Sequence, residues 1–288
     1  MHCGRGVFKC QASCYKNFMQ LNQTDVEALL SIAILAGERI LEVYDGDVQV
    51  ELKEDESPLT IADKKSHEVI ETGLKKYFPD LPILSEEGEQ FDYSTRSKWD
   101  LYWLVDPLDG TKEFIKKNGE FTVNIALMKE HRPIWGVVYT PVSKECFWGG
   151  KEYGAYYAKG EEDVVQLNGQ MKKDSVFRFC MSRSHSNQES QNLINAISEK
   201  YNESENVKIG SSLKFCRLAT GQIDFYPRLG PLREWDMAAG QAVLEGSGGE
   251  VYTFEGFKDI PYGKDDLVQP WFCGQRNGID LREILSNL

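Results

Sequence analysis

From Trp103 to Phe114 the chain reads Trp-Leu-Val-Asp-Pro-Leu-Asp-Gly-Thr-Lys-Glu-Phe. The apolar run ending at Val105 predicts a buried strand, and Asp106, Asp109 and Gly110 then turn it sharply while presenting two carboxylates. Hard oxygen ligands held at such a bend suit Mg²⁺ and the phosphate oxygens it would hold. Taken alone, the stretch also reads as an ordinary Asp-Gly turn whose side chains only satisfy backbone donors.

Two more acidic segments sit at predicted element ends. Ser85-Glu86-Glu87-Gly88 follows the apolar pair Ile83-Leu84, and Trp235-Asp236-Met237-Ala238-Ala239-Gly240 opens an Ala-rich helical pattern. A divalent ion needs several carboxylates brought together from separate elements, and the three segments together offer them. Singly, Glu86 and Glu87 would be a solvated acidic loop and Asp236 a helix cap.

With 288 residues, 41% of them hydrophobic, the chain can bury a sizeable core as one large domain or two smaller ones. No apolar run approaches the roughly 20 residues of a membrane span. The net charge of −12 argues against general nucleic-acid affinity, which rests on Lys and Arg neutralising phosphates. It would also repel a polyphosphate, so a phosphate-handling site here must be made locally positive by metal ions and a few placed cations. Seven cysteines spread through the chain do not resemble a secreted disulfide framework, and a reducing cytoplasm is expected. Cys3, Cys10 and Cys14 lack a matching ligand pair at zinc spacing. Residues 1–18 lack the apolar core of a signal peptide and are expected to be an upstream extension or a poorly ordered tail.

Thr24-Asp-Val-Glu27 has capping-box spacing, and Leu29, Leu30, Ala33, Ala36, Ile40 and Val43 fall on one helical face. A strand is expected over Val48–Leu52, then a second helix with Asp63 at its start and Val69, Ile70, Leu74 and Phe78 on its apolar side. Strands at 81–84, 101–105, 121–128, 134–140 and 145–148 suggest an antiparallel meander. The Gly-rich, charged stretch 149–169 reads as a join. Beyond it, strands at 177–182, 207–210, 223–226, 249–253 and 268–273 alternate with helices at 188–201, 211–220 and 236–246, which argues for a wound α/β half. The expected division is an α+β metal-binding domain over 19–155 and an α/β substrate-binding domain over 156–288.

Glu-Glu after a strand, Asp-Pro-Leu-Asp-Gly-Thr and Trp-Asp-x-Ala-Ala-Gly, in that order, resemble the inositol monophosphatase superfamily of Mg²⁺-dependent, lithium-sensitive phosphatases. Leu84–Glu87, Tyr102–Leu127, Ser182–His185, Ile209–Cys216 and Tyr226–Pro231 resemble its CysQ-type 3′(2′),5′-bisphosphate nucleotidase branch. The resemblance implies a layered αβαβα sandwich with the site between the halves, and hydrolysis of the 3′-phosphate of adenosine 3′,5′-bisphosphate, or of its sulfated form, in sulfur metabolism. It implies two or three Mg²⁺ ions on Glu86, Asp106, Asp109, Asp236 and the Leu108 carbonyl, with Li⁺ or Ca²⁺ inhibiting. Asp63 and Thr111 match the pair that orients and deprotonates the attacking water. His185, Ser211, Lys214 and Arg228 match positions that hold the nucleotide, and Gly110 and Thr111 join the metal-side residues Glu86, Leu108, Asp109 and Asp236 in touching substrate. Ser211 and Lys214, three apart, are expected on the first turn of one helix, where free N–H groups favour phosphate.

Three other readings compete. Haloacid dehalogenase-type phosphatases also place aspartates and Gly-Thr after an apolar strand, but their two aspartates are two positions apart, whereas Asp106 and Asp109 are three apart, which disfavours covalent catalysis. A catalytically silent metal- or nucleotide-binding regulator would have lost Asp63, Thr111 or a metal carboxylate, and all are present. An inositol monophosphatase or sugar-bisphosphate phosphatase would share the metal centre and differ around Ser211, Lys214 and Arg228. No GxGxxG or Walker-type loop supports dinucleotide or NTP chemistry.

Overall fold

The computed structural model describes residues 20–46, 50–52, 58–170, 174–181 and 188–286. The expected extension 1–18, with Cys3, Cys10 and Cys14, and the nucleotide-binding candidate His185 lie outside the described residues. Helix α1, Gln23–Tyr44, starts two residues before the Thr24–Glu27 spacing suggests. Asn22 accepts from the Asp25 N–H at 3.1 Å while the Asp25 carboxylate accepts from the Asn22 N–H at 3.0 Å, closing the same reciprocal box earlier. Leu29, Ala33, Ala36 and Ile40 are buried on one face, as the periodicity requires. Strands β1, Val50–Leu52, and β2, Pro58–Thr60, pair antiparallel and lead straight into α2, Ile61–Tyr77, which carries Asp63 in its first turn.

A seven-stranded sheet follows in chain order: β3 Ile83–Ser85, β4 Leu101–Asp109, β5 Thr122–Lys129, β6 Arg132–Thr140, β7 Glu145–Gly150, β8 Gly154–Lys159 and β9 Val165–Leu167. Only β3 and β4 are parallel; the rest is the expected meander. Short helices α3, Tyr93–Arg96, and α4, Thr111–Ile115, flank β4 in the sequence. The stretch 149–169, read as a join, contains β8 and β9. Strand β8 is largely half-buried on both faces and β9 is only three residues long, so neither shows a clear period-two signal.

The remaining elements are β10 Phe177–Phe179, α5 Gln188–Lys200, β11 Ser204–Asn206, α6 Leu213–Thr220, β12 Phe225–Arg228, α7 Trp235–Gly246, β13 Glu250–Thr253, β14 Phe272–Gln275 and α8 Arg282–Leu285. They form a second sheet in the order β11-β10-β12-β14-β13, parallel around β10 and antiparallel around β14. The strand expected over 207–210 is instead the polar β11, three residues earlier; the Val207 N–H makes a last bond to the Phe179 carbonyl at 2.9 Å. Residues 208–212 then lead away from the sheet.

Among the described residues, three apolar clusters fill the spaces between layers. Alternate β4 residues face opposite ways, so that Trp103 and Val105 pack with α1 and α2 while Tyr102 and Leu104 pack with α6 and α7. The second sheet covers the far side of α6 and α7 through Tyr226 and Phe272, and its outer face, with Phe177 and Phe225, packs on α5 and α8 through Leu193 and Leu285. The result is the expected αβαβα sandwich. Helix α7 lies close against the first sheet because Gly136 of β6 has no side chain: a Cβ there would meet the Ala239 carbonyl oxygen at 2.6 Å.

Candidate active site

Strand β4 ends in a bulge. Asp106 pairs with Asn124 of β5, but the register shifts before Asp109 pairs with Thr122. Pro107 has no N–H for the ladder, and its carbonyl accepts instead from the Ser66 hydroxyl of α2 at 2.7 Å. The Leu108 N–H turns inward to the Asp106 carboxylate at 3.1 Å, and Gly110, at φ 92 and ψ 41, takes the left-handed conformation that starts α4. Thr111 is the first residue of that helix.

The bend brings Asp106 to Glu86 and Asp236, whose ligand oxygens all lie within 4.8 Å of one another. Glu86 is held at the end of β3 by its N–H on the Val105 carbonyl, 3.2 Å, and Asp236 in the first turn of α7 accepts from the Arg233 N–H at 2.9 Å. Glu87 is not part of this group. Burial, then the charges of Glu86, Asp109, Asp236 and Asp63, push the Asp106 carboxyl well above the usual carboxylate range. Burial and Asp109 do the same to Asp236. Carboxylates crowded this closely favour a divalent cation, which removes their mutual repulsion and takes oxygen ligands. The donor set therefore fits the metal that the sequence predicts, with Asp63, itself 1% exposed, beside it.

Asp109 links this cluster to a cationic cleft. Its carboxylate accepts from the Ser212 N–H at 2.5 Å, and the Ser212 hydroxyl is buried against Asn124 and Thr122, at 2.7 and 2.9 Å. Burial raises the Asp109 carboxyl to about 6 against the opposing pull of Lys214 and the Ser212 N–H. Helix α6 begins after Ser211, so Ser211 lies before the helix, at φ 44, rather than on its first turn with Lys214. Lys214 folds back to donate to the Ser211 carbonyl at 2.9 Å, and its ammonium lies 5.4 Å from the Tyr226 ring centroid. Lys214, Tyr226 and Arg228 line a cleft of about 420 Å³. The Arg228 guanidinium donates to the Pro231 carbonyl at 2.7 Å, and its Nε is buried with no acceptor among the described residues.

Ser212, Asn124 and Thr122 were not singled out by the sequence reading. The signal for the latter two is present: Thr122 and Asn124 occupy alternate positions of an otherwise apolar strand, placing two buried hydrogen-bonding groups on one face.

These features together define a phosphatase fold with a metal-competent acidic centre beside a cationic cleft, and the chain belongs to the inositol monophosphatase family, whose model matches residues 21–278. Within that family, the 3′(2′),5′-bisphosphate nucleotidase CysQ of Salmonella typhimurium is 42% identical over 250 residues, covering 86% of this chain and 98% of that protein. The Escherichia coli K12 protein of the same name is 42% identical over 252 residues, with the same coverage. The crystal structure of CysQ from Bacteroides thetaiotaomicron superposes with a TM-score of 0.79 at 40% identity, covering 89% of this chain and 98% of that one.

Proposed function

We propose that this protein is a Mg²⁺-dependent 3′(2′),5′-bisphosphate nucleotidase that hydrolyses the 3′-phosphate of adenosine 3′,5′-bisphosphate to give AMP and phosphate. The observation that carries the reading is the junction at Asp109, where an acidic, metal-competent centre meets a cleft containing Lys214 and a buried, unsatisfied Arg228 Nε. The nucleotidase relatives at 42% identity support the choice of substrate.

Glu86, Asp106, Asp109, Asp236 and the Leu108 carbonyl would hold the ions. Bound there, Mg²⁺ neutralises phosphoryl charge and lowers the pKa of water. Asp63, in the first turn of α2, takes a proton from the attacking water, and the Thr111 hydroxyl relays the hydrogen bond between them. The water oxygen bonds to phosphorus as the bond to the ribose 3′-oxygen breaks, and that oxygen leaves as the 3′-hydroxyl of AMP by taking a proton from solvent, to which Asp63 returns its own. Ser211, Lys214 and Arg228, with His185, hold the nucleotide by its other phosphate, and Gly110 and Thr111 face the phosphate that leaves. In this scheme residues 19–155 contribute most of the metal carboxylates, and residues 156–288 contribute Asp236 and the nucleotide groups. The buried free thiols Cys146, Cys180, Cys216 and Cys273 are consistent with work in a reducing cytoplasm. No helix among the described residues is long and apolar enough to cross a membrane.

The test is phosphate release, with and without Mg²⁺, from adenosine 3′,5′-bisphosphate, its 5′-phosphosulfate counterpart and inositol 1-phosphate. Turnover of the two nucleotides well above inositol 1-phosphate is expected, and EDTA should abolish it. Equal or greater turnover of inositol 1-phosphate would replace the nucleotidase reading with that of an inositol monophosphatase.

A further inference from the structure

The cleft beside Asp109 has a charge balance opposite to that of the molecule. The chain carries −12 overall, yet among the described residues the cleft is lined by Lys116, Lys208, Lys214 and Arg228 against the single carboxylate of Glu113. Lys214 and Arg228 are half-buried and tied to backbone carbonyls, which fixes their positions. Lys116, just past the end of α4, and Lys208, in the segment between β11 and α6, differ: both are exposed, and among the described residues neither side chain is in an ion pair. They come from chain segments 92 residues apart yet line one cleft.

We infer that Lys116 and Lys208 are specificity determinants at the cleft entrance, favouring adenosine nucleotides with a second phosphate or sulfate group over those with a single phosphate. The inference rests on the nucleotidase reading and adds two residues and a selection step to it. The reason is electrostatic. A bisphosphate approaching a strongly acidic protein is repelled at long range, and a cleft lined by one sign of charge concentrates field lines and raises the rate of productive encounter. Ammonium groups exposed to water are screened by salt and hold a bound anion weakly. Their effect therefore falls on capture, which kcat/KM reports, and scales with substrate charge. Phosphoryl transfer itself, reported by kcat, stays with the groups deeper in the site.

The experiment compares the wild type with Lys116→Gln, Lys208→Gln and the double variant, in Mg²⁺ at low and near-physiological ionic strength. Each is assayed for phosphate release from adenosine 3′,5′-bisphosphate and adenosine 3′-monophosphate. The double variant should lose roughly tenfold in kcat/KM for the bisphosphate at low salt, with kcat held, a flatter salt dependence and a much smaller change for the monophosphate. An equal loss for both nucleotides would show a general structural effect and overturn the inference, as would unchanged kcat/KM. Retained monophosphate turnover shows that the variants are folded. A wild type that releases no phosphate from the bisphosphate would overturn the proposed function and this inference together, whereas active wild type with indifferent variants overturns this inference alone.

Discussion

Replacing Gly136 by alanine tests whether the packing of α7 on the first sheet sets the position of a proposed metal ligand. The new Cβ would lie 2.6 Å from the Ala239 carbonyl oxygen and 2.7 Å from its Cα, both backbone atoms of α7 that no rotamer change can move aside. Ordinary contact begins near 3.4 Å, so strand and helix must separate by roughly 0.8 Å. Overpacking of this kind costs about 1–3 kcal/mol, which for a domain of this size lowers Tm by roughly 2–6 °C. Asp236 lies three residues before Ala239 on the same helix and moves with it, and a misplacement near 1 Å can cost about a hundredfold in rate. Gly136→Ala should therefore stay folded at room temperature, need more Mg²⁺ for half-maximal phosphate release and lose roughly 10- to 100-fold in kcat. Thermal unfolding in EDTA and a Mg²⁺ titration of turnover read the two effects separately. Lowered Tm with unchanged Mg²⁺ dependence and kcat would show that Asp236 is positioned independently of this contact.

Asp109→Asn and Asp236→Asn should weaken Mg²⁺ binding, measured by titration calorimetry, whereas Asp63→Asn should lose turnover with Mg²⁺ affinity largely retained; the reverse pattern would exchange the roles. The metal-free protein should also show a reversed pH response at Asp109, whose carboxyl is raised from 3.8 to about 6 when folded. The folded state then binds the proton more tightly than the unfolded chain, so stability is full below about pH 4 and falls as pH rises through 6. Asp109→Asn avoids that loss and should be more stable than wild type in EDTA at pH 7.5, by up to about 3 kcal/mol, yet equal to it near pH 4; a wild type more stable than the variant at pH 7.5 would contradict this. Lithium should inhibit in an uncompetitive or mixed manner against the bisphosphate, because a monovalent ion in a carboxylate-lined position neutralises less phosphate charge while a complex still forms; purely competitive inhibition would imply a differently built centre.

The parts of the molecule that were readable in the sequence are those whose signals are local. The apolar strand before Asp106, the left-handed Gly110 and the Ala-rich start of α7 each declare their geometry within a few residues. The convergence of Glu86, Asp106 and Asp236 could be argued from their placement at element ends, because sheet topology gathers such ends on one side. Non-local effects were harder to read. The α1 cap lies at Asn22 because two adjacent spacings satisfy the same rule and only backbone geometry selects between them. Strands β8 and β9 owe their pairing to neighbours, not to composition. Residues 207–210 look like a strand by hydrophobicity, but partner strand β10 ends at Phe179 and the chain leaves the sheet. Ser212 has no sequence signal because Ser211 occupies the position that matches the family motif, and the group that bonds Asp109 is the Ser212 backbone N–H, which residue type does not reveal.

The three clustered carboxylates also bear on how the protein is made. Glu86 and Asp106 emerge early, but Asp236 arrives 130 residues after Asp106 and only with α7, four-fifths of the way along the chain. A growing polypeptide thus carries an incomplete ion site over the stretch from Asp106 to Asp236, and docking of α7 brings a third negative charge toward two already in place. That last step is electrostatically uphill without a cation and favourable with one. Mg²⁺ available during synthesis would act as a latch for α7, and the yield of folded protein in a cell-free translation system should rise with free Mg²⁺ beyond what the ribosomes themselves require.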